Sequence, residues 1–512
     1  MSVASIRVAE VLAALSLTTD LATGFPFEKG LATCLVATAL ADRIGLDEAE
    51  RRVVFHAALL SAVGCTSTAS ETAALYADDI AFQSAFHVLD PGDPAVFAAQ
   101  MDRFGSWAGS AQPGLKETFL AIAPKAGATA VRSMCEVSRA LAPRLGLPDD
   151  AVTALTEVYE RWDGLGIPDR QHGEEISLAG RILHVAVQAV QAQGARGRAA
   201  AESELRRRAG GHLDPDLVTA FLGDADAVWG ALNGRDLLAA VVAAEPGLPA
   251  VIRPAERDRL CMALAIVVDL KGRFLLGHSA HVASLADAAA KLSNMSTSDR
   301  AALRAAALLH DIGRAGVSSA IWDRPGPLGP TEWERVRLHA YWTDRVLRRC
   351  PDLADLADTA AGHHERLDGS GYHRAVRSPD LSIPSRLLAV ADVFAALTEQ
   401  RPYRPALAAA DAARLLNEEV AAGRLDREAS GAVVEAAGLT RPRSEWPRGL
   451  TDREVEVLRL AARGQSNRQI AQQLSVSERT VGHHLAHTYD KTGRRTRAGA
   501  AVFAMEHGLL PG

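Results

Sequence analysis

The most constraining feature of this chain is that it contains much of itself twice. Residues 158–188 and 363–393 align without a gap at an offset of 205 and share 10 of 31 residues. The shared set includes Glu160/Glu365, Arg161/Arg366, Asp163/Asp368, Gly164/Gly369, Gly166/Gly371 and Arg181/Arg386. Downstream, "AGGHLDPDLV" (209–218) echoes "AAGRLDREAS" (421–430). Upstream, "HAALLSAVGC" (56–65) echoes "AAALLHDIGR" (305–314). Three echoes in one order mean two copies of one domain.

The copies differ in a particular kind of residue. His310-Asp311 stand where the first copy has Ser61-Ala62, His363-His364 where it has Val158-Tyr159, and Asp392 where it has Val187. An ungapped extension sets His278 opposite Lys29. Imidazoles and carboxylates are lost while glycines and apolar positions stay, so the first copy reads as a scaffold without chemistry. Ala and Leu dominate, aromatics are few and alternating Val-rich runs are scarce, which predicts an all-α protein. The 512 residues allow about three domains. The layout is copy one over 1–235, a Pro-broken connector over 236–255, copy two over 256–440, a linker over 441–449 and a small domain over 450–512.

In copy two, His278, His310, Asp311, His339, His363, His364 and Asp392 are candidate metal ligands. Imidazole with carboxylate suits iron, manganese or zinc. Adjacent helix residues point about 100° apart, but near a helix end His310 and Asp311 can reach one ion, or Asp311 can bridge two. Seven candidates exceed the needs of one ion and fit a two-metal site. Singly, His339 reads as a surface histidine, Asp392 as a solvent-facing helix residue, and His281 competes with His278 as ligand. Their joint loss from the sister copy favours the metal, because a purely structural role should survive wherever the fold survives.

The stretches "GHSAHVA", "LLHDIGRAG", "RPGPLGPTEWERVRLHA", "HHERLDGSGYH" and "AVADVFAALTEQRPYRP" together resemble the HD-GYP family of metal-dependent HD phosphohydrolases over about 180 residues. The resemblance implies a helical domain with those seven residues as ligands, two divalent ions (iron or manganese), and hydrolysis or sensing of cyclic di-GMP. A catalytically silent nucleotide sensor and hydrolysis of another phosphate ester are the alternatives. On this resemblance Asp311 and Arg314 take the catalytic roles, and Arg314, Asp368, Gly369, Gly371, Tyr372, Arg401 and Arg404 line the substrate; by residue type alone, Arg401 and Arg404 fit a solvated basic loop equally well. Departures from the family pattern are Phe274 where trinuclear members carry Glu, Arg314 for Lys, His373 for the signature's Pro, and Ala395 for a frequent Asp. The glycines of "DGSGY" equally fit an ordinary turn, since copy one keeps "DGLGI" without ligands.

The last segment is set apart by charge. The chain is −6 overall, yet residues 448–512 carry ten Lys/Arg against six Asp/Glu, which points to a polyanion partner for this segment. Thr451/Glu454 and Ser466/Gln469 form capping boxes, Gly464 ends the first helix, Ser477 caps a third helix and Thr496 starts a fourth. Two short helices joined by a tight turn make a helix-turn-helix. "LTDREVEVL", "SNRQIAQQL" and "SERTVGHHL" resemble the LuxR-type DNA-binding domain. That implies Thr480, Val481 and His484 in the major groove, with Arg479, His483 and Lys491 near bases or phosphates, and Gly482 where Lys or Arg is usual.

Five cysteines without metal or redox spacing suit a reducing, cytoplasmic setting. The N-terminal stretch predicts an amphipathic helix, and no apolar run is long enough to span a membrane. The expectation is a homodimeric, double-stranded-DNA-binding regulator, with a metal-dependent phosphodiesterase domain behind a degenerate copy of itself.

Overall fold

A computed structural model describes residues 6–510 except 91, 108–113, 235, 254–255, 379 and 439–445. Residues 441–445 of the linker lie outside the described residues. The architecture is all-α. The only paired strands among the described residues are β1 (Ile6–Arg7) and β2 (Val251–Ile252), antiparallel to each other. The chain divides into two compact units that part at residue 253, apart from a short exchange near residue 70. The connector region therefore contributes to the first unit: Leu237–Ala243 is a helix, and β2 pairs with the start of the chain.

In the first unit, α1 (Val8–Thr23), α2 (Lys29–Arg43), α3 (Glu48–Leu59), α4 (Leu115–Leu145) and α5 (Leu178–Arg196) frame the core. The predicted N-terminal helix forms, but it is not amphipathic: every residue of α1 except Val8 and Leu21 is buried. The Ala/Leu-rich run is hydrophobic all round and so sits inside.

The second unit begins with α6 (His278–Leu292), α7 (Thr297–Leu309), α8 (Pro330–Arg349) and α9 (Ile383–Thr398). It ends with α10 (Asp452–Ala462), α11 (Asn467–Leu474), α12 (Glu478–Thr492) and α13 (Arg497–Glu506). Both predicted capping boxes are present, and Ser477 and Thr496 each accept an N–H from their first turn. All five cysteines are free and buried. No helix among the described residues is long and apolar enough to cross a membrane.

The repeat extends to individual hydrogen bonds. Glu160 accepts the N–H groups of Asp169 and Gln171, and Glu365 those of Arg374 and Val376, each pair at an offset of 205. Asp163 accepts from Leu165 N–H and Asp368 from Ser370 N–H. A Cβ on Gly166 would meet the Glu160 backbone, and one on Gly371 the Glu365 backbone, so both loops require glycine there. Upstream, Asp20 accepts Gly30 N–H just as Asp269 accepts Ser279 N–H. A Cβ on Gly64 would collide with the Met134 carbonyl, and one on Gly313 with that of His339. Met134 is thus the first copy's counterpart of His339.

Candidate metal centre

Four helices and two turns bring the seven residues together. His278 is the first residue of α6, after Gly277 at φ +82°. His310 closes α7, and Asp311 starts the next turn. His339 lies in the middle of α8, His363 and His364 in a 3-10 turn, and Asp392 on α9. His310, His339 and His363 are 0 % exposed and Asp392 is 2 % exposed, which sets aside a surface role for His339 and a solvent-facing one for Asp392.

Asp311 stands between two groups. Its Oδ2 is 3.1 Å from His310 Nε2 and 3.6 Å from His278 Nε2. Its Oδ1 is 3.5 Å from both His339 Nε2 and His363 Nε2. Asp392 Oδ1 completes the first group, 3.2 Å from His278 Nε2, and its Oδ2 lies 3.8 Å from His364 Nδ1.

The proton positions decide what this cluster suits. His310, His339 and His363 each donate Nδ1–H to the carbonyl three residues back, at Ala307, Val336 and Ala360. His278 donates Nδ1–H to Glu399 Oε2 at 2.8 Å. Each neutral ring then presents a bare Nε2 lone pair inward. His339 Nε2 and His363 Nε2 face each other at 3.0 Å, which is repulsive unless a cation or proton lies between them. His310 Nε2 and both Asp311 oxygens are buried without a hydrogen-bond partner, a costly condition in a protein interior. The donor set therefore fits divalent cations.

The electrostatics agree. Burial pushes His339 down to about 3, so it is neutral. Burial also opposes charge on His310, but Asp311 and Asp392 together outweigh it and raise the imidazole to about 10: the carboxylates demand positive charge here. Burial resists ionisation of Asp311, yet Arg314 and then His310 hold it well below the usual carboxylate range.

The predicted substrate residues separate. Arg314 Nε lies 2.9 Å from Asp311 Oδ2, and its guanidinium sits 4.8 Å from the Trp322 ring centre. Arg314 and Arg401 both line a cleft of about 650 Å³ with Phe274, Trp322, Trp333 and Tyr403. Arg401 also donates to Glu399 and to the Phe274 carbonyl. Tyr372 stacks on His364 at 4.4 Å. Arg404 departs from the expectation: it donates to the carbonyls of Leu397, Glu399, Pro405 and Ala396, closing the end of α9 instead of facing the cleft. Asp368, Gly369 (φ +81°) and Gly371 shape their own loop.

Glu399 escaped the sequence reading. It holds His278, His281 (2.9 Å) and Arg401 (3.0 Å) at once. His281 is thus a partner of Glu399, outside the cluster. Only the adjoining arginines of "TEQRPYRP" had drawn attention to this segment.

In the C-terminal helices, Val481 contradicts the expectation that it reads DNA. It is 0 % exposed in a core with Val457, Ile470 and Leu485, because its position on α12 points back at α10 and α11. Lys491 donates to Glu454 (2.7 Å) and to the Gly449 carbonyl (3.0 Å), which ties the end of α12 to the first capping box. Arg479 and His483 are exposed, while Thr480 and His484 are half-buried.

Residues 129–217 and 263–429 match the HD-domain family, and residues 448–504 match the LuxR family of bacterial regulatory proteins. The chain is 31% identical over 450 residues to 3'3'-cGAMP-specific phosphodiesterase 3 of Vibrio cholerae, covering 86% of this chain and 97% of that one. It is 38% identical over 135 residues to cyclic di-GMP phosphodiesterase PA4108 of Pseudomonas aeruginosa, covering 26% of this chain and 32% of that one. A crystal structure of a cyclic GMP-AMP-specific phosphodiesterase from V. cholerae superposes with a TM-score of 0.60 at 26% identity, over 86% of this chain and 99% of that one. The chain belongs to the HD-domain family, in the HD-GYP class of metal-dependent phosphodiesterases, and carries a C-terminal LuxR-type domain.

Proposed function

We propose that the chain hydrolyses a cyclic dinucleotide, cyclic di-GMP or 3'3'-cGAMP, and that its LuxR-type domain binds double-stranded DNA as a dimer. The observation that carries the first part is the Asp311 carboxylate, set between two groups of inward-facing imidazole nitrogens. Two ions, iron or manganese, would be held by His278, His310, Asp311 and Asp392 on one side and by Asp311, His339, His363 and His364 on the other. Bound there, they would supply a nucleophilic water and charge neutralisation on the phosphoryl group.

The chain's own residues do the rest. The Nδ1–H bonds lock each imidazole's tautomer and direction before substrate arrives. Arg314 and Arg401 offer guanidinium groups to the phosphates, and Trp322, Trp333 and Tyr403 offer faces for bases to stack on. As the water oxygen bonds to phosphorus, one P–O ester bond breaks and the departing ribose oxygen takes a proton, giving a linear dinucleotide.

Purified chain of verified iron or manganese content, offered each dinucleotide separately, is expected to linearise at least one. Failure with both would overturn the enzymatic reading. For the DNA arm, Arg479→Ala should weaken binding to all sequences and lower the salt slope by about 1. Val481→Ala should destabilise the small domain by about 1 kcal/mol without altering base preference. A footprint of one unpaired half-site at full affinity would exclude the dimer.

A further inference from the structure

The first copy lost the ligands and kept a hole. A cavity of about 310 Å³ lies at the vestigial site, and Val158, Tyr159 and Val187 line it at the positions of His363, His364 and Asp392. Its remaining walls are chiefly apolar, with Phe86, Leu89, Phe97, Phe119, Leu165 and Ile167. The cavity opens to solvent beside Leu120 and Leu165, both exposed, so a ligand can enter it. A lined, mostly apolar cavity of this volume is what small-molecule sites look like.

The polar atoms at the wall narrow the ligand. Arg161 is paired: it donates to Asp163 at 2.9 and 2.6 Å and to Asp90 at 3.0 Å, so its charge is already met by two carboxylates. The Tyr159 hydroxyl lies 3.4 Å from Cys65 Sγ and 3.3 Å from His87 Nε2. His212 differs. Its Nδ1 accepts from Arg208 at 3.1 Å, which leaves the proton on Nε2, and Nε2 has no hydrogen-bond partner among the described residues.

We infer that this cavity binds a small, uncharged, largely aromatic molecule carrying one hydrogen-bond acceptor, which His212 Nε2–H engages. The degenerate copy is then a receptor domain, its metal floor replaced by an apolar one.

Benzophenone suits the test, because it has two rings, one carbonyl and its own photochemistry. Full-length protein should bind it saturably, and irradiation should label residues 86–123, 158–188 or 212. Ala123→Trp, which fills the cavity from α4, should abolish both. His212→Phe should weaken benzophenone roughly fivefold to tenfold but leave diphenylmethane, which has no carbonyl, unchanged. Absence of saturable binding, or labelling only outside these segments, would overturn the proposal. So would undiminished binding in correctly folded Ala123→Trp, folding being checked by circular dichroism. Equal losses for both probes in His212→Phe would remove the assigned hydrogen bond. The inference does not depend on which dinucleotide the second copy cleaves.

Discussion

Helix α2 of the first copy and helix α6 of the second begin in the same way. A left-handed residue, Glu28 or Gly277, precedes each helix, and a buried aspartate, Asp20 or Asp269, accepts the N–H of its second residue. The first residue then decides everything. In α6 it is His278, a nitrogen aimed at Asp392 and Asp311. In α2 it is Lys29, a buried ammonium beside Asp20, below the Phe25 ring at 4.5 Å. One copy gathers carboxylates that call for cations, whereas the other puts a single buried lysine, beside Asp20 and the Phe25 ring, at the corresponding position. The shared loop and cap bonds show that the frame tolerates both floors, so a fold of this kind constrains chemistry far less than it constrains shape.

The largest effect expected from breaking this contrast is at Asp311. Asp311→Ala removes the carboxylate common to both metal groups and should cut hydrolysis by on the order of a thousandfold or more. Ala62→Asp, its mirror in the first copy, should gain neither metal nor activity, since Val158, Met134 and Val187 still stand at ligand positions. Metal analysis and turnover assays read both. Next comes Lys29→Met. It removes the nearby positive charge from buried Asp20, which keeps its bond from Gly30 N–H and, already pushed up by burial to about 7, can take a proton, so the cost should be about 1 kcal/mol. Thermal or urea unfolding measures it. An unchanged midpoint would mean that Lys29 is not part of the first copy's floor.

What was legible in the sequence was whatever one copy could show by lacking it. His310, Asp311, His363, His364 and Asp392 stood out because their partners at the same offsets are apolar or small. Residues whose role depends on distant partners did not. Glu399 reaches His278 across 121 positions, and nothing local marks that span. Val481 and Arg404 were misplaced for the opposite reason: helix order and charge locate a segment, but which face packs inward is settled by the neighbouring helices. Capping boxes were readable because both partners lie within four residues.

A pH contrast follows from His184. Its Nε2–H donates to the Glu157 carbonyl, and burial holds the imidazole down to about 4. The second copy has Ala389 at this place. A depressed histidine contributes stability that is fully present above its unfolded value of 6.5 and lost as pH falls through 4. The total is roughly 3 kcal/mol, at 1.36 kcal/mol per pKa unit. Proteolysis of the full chain, followed by peptide, should therefore show 5–252 opening between these limits, and His184→Gln should reduce that response in part, since burial also holds down His56, His87 and His212 of the same unit. Acid sensitivity unchanged in this variant would assign the response to His56, His87 or His212 instead.

Glu399 gives the subtlest test of where the two copies part. The ungapped repeat puts Gly194 opposite it, so the first copy lacks the carboxylate as well as the ligands it would orient. In the second copy that carboxylate holds His278 Nδ1–H at 2.8 Å, His281 at 2.9 Å and Arg401 at 3.0 Å. Its charge makes the opposite nitrogen, Nε2, more basic, and its position fixes the ring's direction. Glu399→Gln keeps an oxygen to accept from His278 while removing the charge. Metal affinity should fall 10- to 100-fold, the usual scale for losing such a partner, with the fold intact. Glu399→Ala should do worse, because it leaves three buried donors unanswered. Iron or manganese titration against a competing chelator distinguishes the cases. Full affinity in Glu399→Gln would confine the difference between the copies to the ligands themselves. A tenfold loss or more would show that turning one copy into the other requires rebuilding the layer behind the metal as well.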